Sequence, residues 1–395
     1  MPDIIEDYSY KKSKNNGIKC LVCLIIMFLI IMIVLRSKVY KTNWWLIWYI
    51  IICAYLIESI MYMLTNMSYY DMVHPNLIHG TIISTREIQK YIKIKDMDTL
   101  QEKIDIGCEV ANTKRVVIIS LARDVEDIFY NTRLKMEKIG EKFLEYTIVI
   151  FENDSDDNTR SLLERWSNEN YNMILMDCCN LGDCGCKLKN KKGYDIGTHS
   201  YSSGRISKMR FYREQVLRYT TANYSHYDYV MMYDFDMSGG IYLDGLMTSF
   251  YYDNWDMIFS KGLQSRPKLA GGVVMYDSLP YIPEHSSFDH KNSLRKMGNI
   301  LNKLNNLKIG SEPVRCKSGF NGLAIYTMES MINSTYMNTE FYCEHVDLHY
   351  DMYQQGYDRI YHNPNMILYI GQAGNERINL LFNFKEMAQG LKPLQ

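Results

Sequence analysis

The chain lacks the excess of positive charge that a protein needs in order to hold nucleic acid by its phosphates. It contains 44 Lys and Arg residues against 45 Asp and Glu residues, which gives a net charge of −1. Affinity for nucleic acid depends largely on basic side chains that neutralise phosphates. The composition therefore offers no electrostatic case for a nucleic-acid partner.

Internal repeats are also missing, and the ten cysteines follow no standard zinc-binding spacing. Cys20, Cys23 and Cys53 fall in apolar segments, where a thiol behaves as a small hydrophobic group. Four others form a cluster within residues 178–186, CCNLGDCGC: Cys178, Cys179, Cys184 and Cys186. A zinc site, local disulfides and free thiols in a loop all remain open for this cluster.

Long apolar runs occur only near the N-terminus. Residues 1–17 form a polar tail, and residues 20–35 are uninterrupted and apolar, about long enough to span a bilayer with their flanks. No small-residue cleavage site follows, which favours an anchor over a signal peptide, with a buried core helix as the other alternative. A second stretch, residues 44–64, is rich in Trp but contains Glu58.

We therefore predict one or two transmembrane segments within residues 18–64 and an N-terminally anchored membrane protein, in a membrane of the ER or Golgi type or a viral or host membrane. Residues 65–112 read as a stem, and residues 113–395 as the main domain. With 395 residues and 47% hydrophobic content, the chain suits one large α/β domain plus an anchor, or two small domains.

From residue 115 onward, short apolar runs alternate with helical patterns. Strands are expected at residues 115–121, 146–151, 172–176 and 229–233, with helices at 124–140, 159–166 and 205–222 between them. This alternation predicts a parallel, Rossmann-like sheet. Further strands are expected at 256–259, 272–276 and 359–369, residues 318–326 are expected to form a glycine turn that leads into a strand, and helices are expected at 243–251 and 343–356.

The fourth strand, YVMMY, leads directly into Asp234-Phe235-Asp236 and a Ser-Gly-Gly turn. Carboxylates at positions i and i+2 of an extended chain point to the same side. In open α/β sheets, ligands bind at the carboxyl ends of strands. Asp234 and Asp236 are thus predicted to bind Mg²⁺ or Mn²⁺ together with substrate phosphates, the alternative being a strand-end Asp that caps the next helix.

Polar side chains elsewhere are expected at the same edge of the sheet. The acidic loop 152–159, ENDSDDNT, follows the second strand, and its Glu152, Asn153 and Asp154 suit a ribose or base; an Asx turn with a helix cap is the alternative. Arg205 and Arg213 precede the fourth strand and suit a diphosphate, unless they form a solvated cationic face.

The segment CEHVDLHYDM brings further chemistry. His345 and His349 are four residues apart and share a helix face, so one of them is a candidate for completing a metal shell with the two aspartates; a structural histidine is the alternative. Glu344 and Asp347 are candidate catalytic carboxylates that act as a base or orient another group.

Taken together, these motifs resemble the fungal capsular-associated α-1,3-mannosyltransferase family of GT-A glycosyltransferases. The resemblance covers about residues 115–371 and rests on the END loop, the segment RISKMRFYREQVLR, the Asp234-Phe235-Asp236 strand, the segment VRCKSGFNGLAIY and the segment YCEHVDLHYDM. The family's C-terminal motif usually carries a Ser-Glu-Cys-Cys-like run. This chain departs from it, so Glu340 and Glu344 both remain open as the equivalent acid.

The resemblance implies a GT-A fold, dependence on Mn²⁺ or Mg²⁺, and a GDP- or UDP-sugar donor, with GDP-mannose as one candidate. It places Glu152 near the nucleoside, Asp234 and Asp236 at the metal and diphosphate, and the turn 318–322 near the sugar acceptor. Within this turn, Asn321 is a candidate contact of the sugar donor. The expected function is transfer of a sugar to a glycan or glycoprotein acceptor. Two alternatives are a membrane-bound nucleotidyltransferase and a non-catalytic glycan-binding envelope protein.

Overall fold

The computed structural model describes residues 82–90, 94–177, 203–266, 272–277, 279–288, 304, 307–339, 341 and 343–370. The predicted tail and membrane segments within residues 1–64 and the cysteine cluster at 178–186 lie outside these ranges, and they stay predictions. Within the ranges that are described, no helix is both long enough and apolar enough to cross a bilayer.

The described chain alternates between strands and helices, as the pattern of apolar runs predicts. The strands are β1 (Ile82–Ile83), β2 (Arg115–Ala122), β3 (Glu145–Glu152), β4 (Met173–Asp177), β5 (Tyr229–Tyr233), β6 (Ile241–Tyr242), β7 (Met257–Arg266), β8 (Gly272–Met275), β9 (Ile282–Pro283), β10 (Val314–Ser318), β11 (Leu323–Thr327) and β12 (Ile360–Ile370). The helices are α1 (Thr85–Ile88), α2 (Met97–Ala111), α3 (Phe129–Gly140), α4 (Thr159–Glu169), α5 (Ser203–Tyr224), α6 (Leu243–Met247), α7 (Met328–Ile332) and α8 (Glu344–Gln354).

These strands form one mixed sheet, whose main path runs β1-β6-β12-β7-β11-β5-β2-β3-β4. Strands β5, β2, β3 and β4 are mutually parallel, which confirms the predicted parallel unit of four strands. Strand β11 then pairs antiparallel with both β5 and β7. The sheet is therefore a parallel half extended by a mixed half, and β5 lies at the boundary between them.

Helices cover both faces of the sheet, which explains why the central strands read as continuous apolar runs. Met231 of β5 packs in the cluster that includes Met136 of α3 and Trp166 of α4. Its neighbours Val230 and Met232 pack on the opposite face, in the cluster that includes Val216 of α5 and Leu348 of α8. Strand β5 is thus buried from both sides, and its end has a fixed position.

Part of the predicted stem, from β1 to α2, lies in the same compact unit as the sheet. Strand β1 pairs parallel with β6. Helix α2 approaches the end of α6 so closely that a Cβ on Gly107 would lie 2.1 Å from the carbonyl oxygen of Met247. Only glycine permits this close approach. Through this contact, α2 packs directly against the main domain.

The carboxyl ends of β2, β3 and β5 meet at one edge of the sheet, because the three strands are parallel neighbours. Strand β11 runs in the opposite direction and begins at this edge, with Leu323 paired to Tyr233. The edge therefore collects Asp234, the acidic loop after Glu152, and the turn at Asn321. Three of the sequence motifs meet there through strand order alone.

The central position of β5 predicts a large penalty for a cavity at its midpoint. Met231 is fully buried, so Met231→Ala should lower the free energy of unfolding by about 2–5 kcal/mol, as is typical for large-to-small changes in a core. Chemical denaturation of the full chain measures this change. Met337→Ala, at a methionine that is 54% exposed, is the matched control, and equal losses in the two variants would contradict the buried position of β5.

Candidate active site

Asp234 and Asp236 follow β5 and alternate with two buried apolar residues. Phe235 and Met237 are 1% and 0% exposed, whereas the Asp234 side chain is 20% exposed and Asp236 is open to solvent. The backbone N–H of Asp234 donates to the carbonyl of Gly322 at 2.9 Å. The apolar side chains thus anchor the segment in the core, while the two carboxylates lie away from it.

The surroundings of this pair disfavour two bare negative charges. Desolvation by the surrounding protein raises the pKa of Asp236 to about 6, and the negative charge of the neighbouring Asp234 carboxylate adds to the rise. Burial likewise raises the pKa of Asp234, against the opposing influence of the Arg213 guanidinium. Additional positive charge at this edge would therefore stabilise the ionised pair.

Arg213 of α5 joins the acid pair to α8. Its Nη2 donates to Asp234 Oδ1 at 2.9 Å, and its Nε donates to Glu344 Oε1 at 3.3 Å. The guanidinium is buried and lies over the Phe320 ring, 5.3 Å from the ring centroid. One arginine therefore orients two of the predicted catalytic carboxylates, and Glu344 is engaged as its partner.

Asp347, the other predicted base, lies in a second ion pair between the same two helices. Its Oδ2 accepts from Arg210 Nη2 at 2.6 Å and its Oδ1 accepts from the Phe341 N–H at 2.7 Å. The carboxylate is fully buried, and Thr339 donates a further hydrogen bond. The geometry supports a structural link between α5 and α8 and does not support a catalytic base at Asp347.

The two histidines share a face of α8, as their spacing predicts, with ring centroids 6.2 Å apart. His349 bonds to the Ser318 hydroxyl through Nδ1 at 2.7 Å and to the Tyr326 hydroxyl through Nε2 at 3.0 Å. Burial lowers its pKa to about 3, so the ring is neutral. With both nitrogens engaged, His349 does not fit the metal role that the sequence predicts.

His345 is also buried, and it stacks on the Phe320 ring at a centroid distance of 3.8 Å. Burial, followed by the charge of Arg213, holds its pKa well below the ordinary value. Its Nε2 lies 3.9 Å from Glu344 Oε1. The His345 ring therefore packs against Phe320 and lies near Glu344. Among the described residues, no hydrogen bond links it to Asp234 or Asp236.

Asp277 is a carboxylate that the sequence analysis missed. It is half-buried just beyond β8, and burial raises its pKa to about 7, with further contributions from the charges of Asp234 and Glu344. These electrostatic contributions place it in the same cluster of acids. Its position directly after a predicted strand could have indicated a site residue. Its position beside β7, however, depends on the order of the strands in the sheet, which the local pattern does not give.

Asn321 positions this segment. Its side chain is fully buried, its Nδ2 donates to the Ser260 carbonyl at 3.0 Å, and its Oδ1 accepts from the Asp277 N–H at 3.2 Å. Its backbone has a positive φ of 57°, which Asn tolerates better than most residues. The amide thus joins β7 to Asp277, and this geometry does not support the predicted contact with the donor.

The polar groups of the acidic loop after β3 mostly have hydrogen-bond partners within the protein. The Glu152 carboxylate, 2% exposed, accepts from the Ser155 N–H at 2.8 Å and pairs with Arg160 at 3.3 Å. Asp154 adopts a positive φ of 49° and is half-buried. Asn153 differs: its side chain is buried, and its Nδ2 has no hydrogen-bond partner among the described residues. A buried unpaired amide is costly, so Asn153 is the residue of this loop that best fits the predicted contact with a ribose or base.

Arg205 lies near the start of α5, two turns before Arg213, and is half-buried. Burial raises the pKa of both Asp234 and Asp236, and the positive charge of Arg205 opposes part of that rise. The side chain therefore lies within electrostatic reach of the acid pair. This position suits the predicted contact with a diphosphate.

The donor chemistry of the edge fits a hard divalent cation. Asp234 and Asp236 offer only oxygen ligands, which Mg²⁺ and Mn²⁺ prefer. In the part of the chain that the structure describes, no group of three or more His, Cys, Asp or Glu side chains could hold a metal. A cation bound here would complete its shell with water oxygens, and with phosphate oxygens in their place once a substrate is bound.

No protein-family model and no curated protein matches the chain. Among solved structures, the mannosyltransferase PcManGT from Pyrobaculum calidifontis, in complex with GDP-Man and Mn²⁺, has a TM-score of 0.37 and 11% identity over 75% of this chain and 74% of its own. S. aureus TarS in complex with UDP-GlcNAc has a TM-score of 0.37 and 13% identity over 67% of this chain and 60% of its own. A mycobacterial protein has a TM-score of 0.36 and 11% identity over 71% and 73%. Likeness at these levels assigns neither a family nor an activity to this chain.

Removal of Arg213 should destabilise the protein in a pH-dependent way. Arg213→Met leaves the carboxylates of Asp234 and Glu344 without their buried cation, and breaking a buried pair typically costs about 3–5 kcal/mol. Since Arg213 opposes the upward shift of the Asp234 pKa, its loss raises that pKa further. The folded variant then favours protonated Asp234, so its deficit should be small near pH 4 and should grow towards pH 7.

Urea denaturation at several pH values measures this trend. Arg115→Met is the matched control, because Arg115 pairs with Glu145 at the surface, with both side chains about half exposed, and such pairs contribute about 1 kcal/mol or less. A deficit for Arg213→Met that stays constant or shrinks as pH rises would contradict this role of the ion pair.

Proposed function

We propose that this protein is a metal-dependent glycosyltransferase that takes its sugar from a nucleoside diphosphate sugar. The observation that carries the proposal is an excess of acid at the carboxyl edge of the sheet. Burial raises the pKa of Asp234, Asp236 and Asp277 there, and neighbouring carboxylates add to the rise, with Glu344 acting on Asp234 and Asp277. The positive charge of Arg213 opposes the rise at all three, and that of Arg205 opposes it at Asp234 and Asp236. Such a site disfavours a bare diphosphate and favours one that arrives with a divalent cation.

Asp236 and Asp234 would hold the Mg²⁺ or Mn²⁺ ion. When bound, the cation neutralises the charge that develops on the departing diphosphate. Arg213 fixes the orientation of Asp234 through their 2.9 Å hydrogen bond, and Arg205 supports the phosphates. Glycosyl transfer passes through an oxocarbenium-like state, so stabilisation of the leaving group is its main electrostatic demand.

Asn153 would contact the nucleoside, since its unpaired amide lies at the end of β3, beside the end of β2. GDP- and UDP-sugars, including GDP-mannose, remain the candidate donors, and a glycan or glycoprotein is the candidate acceptor. The motifs that resemble the mannosyltransferase family favour sugar transfer over nucleotidyl transfer, which would use similar metal and phosphate chemistry. The released product separates the two reactions.

Asp277 would accept the proton of the acceptor hydroxyl in an inverting reaction. The geometry favours it over Glu344, which pairs with Arg213, and over Asp347, which pairs with Arg210. A pKa of about 7 is close to the value at which a carboxylate serves as a general base near neutral pH.

The first test is a donor screen of the full chain with Mn²⁺ and each common nucleotide sugar, scored for release of UDP or GDP. Asp236→Ala should lower the rate of release by about 10²-fold or more, because the cation loses the carboxylate most open to it. The exposed Asp98 supplies the matched control, Asp98→Ala, which should behave as wild type.

Release of pyrophosphate instead of a nucleoside diphosphate would support the nucleotidyltransferase alternative. Binding of glycans without any donor cleavage would support a non-catalytic role. Near-normal turnover in Asp236→Ala would remove Asp236 from cation binding.

The second test concerns Asp277. Because a base must be ionised, transfer to the acceptor should increase as pH rises through about 7, following the pKa of Asp277. Asp277→Asn should abolish that rise and lower transfer by about 10²-fold to 10⁴-fold, while donor cleavage by water falls less. Rate–pH profiles with and without acceptor measure both effects, with the exposed Asp253→Asn as control. An unchanged profile in Asp277→Asn would exclude it as the base.

A further inference from the structure

Lys135 of α3 is a buried lysine whose hydrogen-bond partners belong to the loop after the acid pair; burial lowers its pKa to about 7, and the negative charge of Asp236 opposes that shift. The side chain is fully buried. Its ammonium donates to the carbonyl of Met237 and, at 2.8 Å, to the carbonyl of Gly239. Burial of an ammonium costs free energy unless it has good acceptors. These hydrogen bonds therefore hold the two loop carbonyls against α3.

Thr132 lies one turn earlier on the same face of α3. Its buried hydroxyl donates to the carbonyl of Phe235 at 2.9 Å. The carbonyls of three alternate loop residues, 235, 237 and 239, therefore all accept from one helix. The side chain of Asp236 lies between two of these anchored residues.

Packing limits the loop from other directions as well. The Phe235 ring stacks on Phe129 of α3 with centroids 5.9 Å apart. Gly239 lies against β12, where a Cβ would be 2.2 Å from the carbonyl oxygen of Tyr369. With its carbonyls bound to α3 and its apolar groups packed, the loop leaves the Asp236 carboxylate on the open side of the site.

We propose that Thr132 and Lys135 are positioning residues that set the cation affinity of the Asp234–Asp236 pair by tying loop 235–239 to α3. This inference rests on the proposed function, because it assigns the two side chains a role in the same cation site. Metal affinity depends on groups that orient the ligands, and loss of such a group typically weakens binding by about 10-fold to 100-fold.

The experiment compares Mn²⁺ binding by the full chain without any nucleotide sugar, measured by electron paramagnetic resonance of free Mn²⁺. Lys135→Met removes both loop bonds. Thr132→Val keeps the shape of the side chain but removes its hydroxyl donor, and it preserves the test if Lys135→Met fails to fold. The control is Lys138→Met on the same helix, where the exposed ammonium pairs with Glu141.

Both loop variants should bind Mn²⁺ about 10-fold more weakly or worse, and Lys138→Met should match wild type. In donor cleavage, the variants should need more Mn²⁺ for half-maximal rate and should approach the wild-type rate at saturating Mn²⁺. A purely structural role would lower the folded fraction without changing this Mn²⁺ requirement.

Wild-type affinity in the folded loop variants overturns the proposal. Mn²⁺ binding by the wild-type chain without cleavage of any donor overturns the proposed function and leaves the comparison of affinities intact. A wild-type chain that binds no Mn²⁺ overturns both.

Discussion

The arrangement at the edge of the sheet depends on the ion pair that Arg213 makes with Asp234 and Glu344. Arg213 is buried beside two carboxylates, at 2.9 Å from one and 3.3 Å from the other. One turn earlier on α5, Arg210 pairs with Asp347 of α8. The two arginines therefore join α5 to α8 in two successive pairs, and only the pair nearer the sheet edge reaches the acid pair after β5. Buried pairs of this kind fix geometry more reliably than they add stability.

The acid pair is consequently held from both faces of the sheet. On one face, α5 supplies the guanidinium that orients Asp234; on the other, α3 supplies Thr132 and Lys135, which bind the carbonyls of the following loop. Asp236 lies between these supports and is itself open to solvent. A rigid scaffold with one open carboxylate is well suited to binding a cation that also contacts a substrate, because little reorganisation is needed on binding.

Local patterns predicted the parts of this site that depend on short-range geometry. The run YVMMY before Asp234 indicated a buried strand, and the spacing of Asp234 and Asp236 indicated a shared side. The four parallel strands were also predicted correctly, because alternating strands and helices strongly limit sheet topology. Partners across the fold were not predictable: the helical spacing put His345 and His349 on one face, yet only packing shows that His349 bonds to Ser318 and Tyr326. Lys135 had no distinguishing signal, since lysines on helices usually face solvent.

Under the proposed function, the edge of the sheet binds a nucleoside diphosphate only together with a divalent cation. Isothermal titration of the full chain with GDP and with UDP, in Mn²⁺ and again in EDTA, tests it most directly. We expect at least one of the two nucleotides to bind in Mn²⁺, and we expect this binding to be lost in EDTA and in Asp236→Ala. Equal binding in Mn²⁺ and EDTA, or no binding of either nucleotide under any condition, would contradict it.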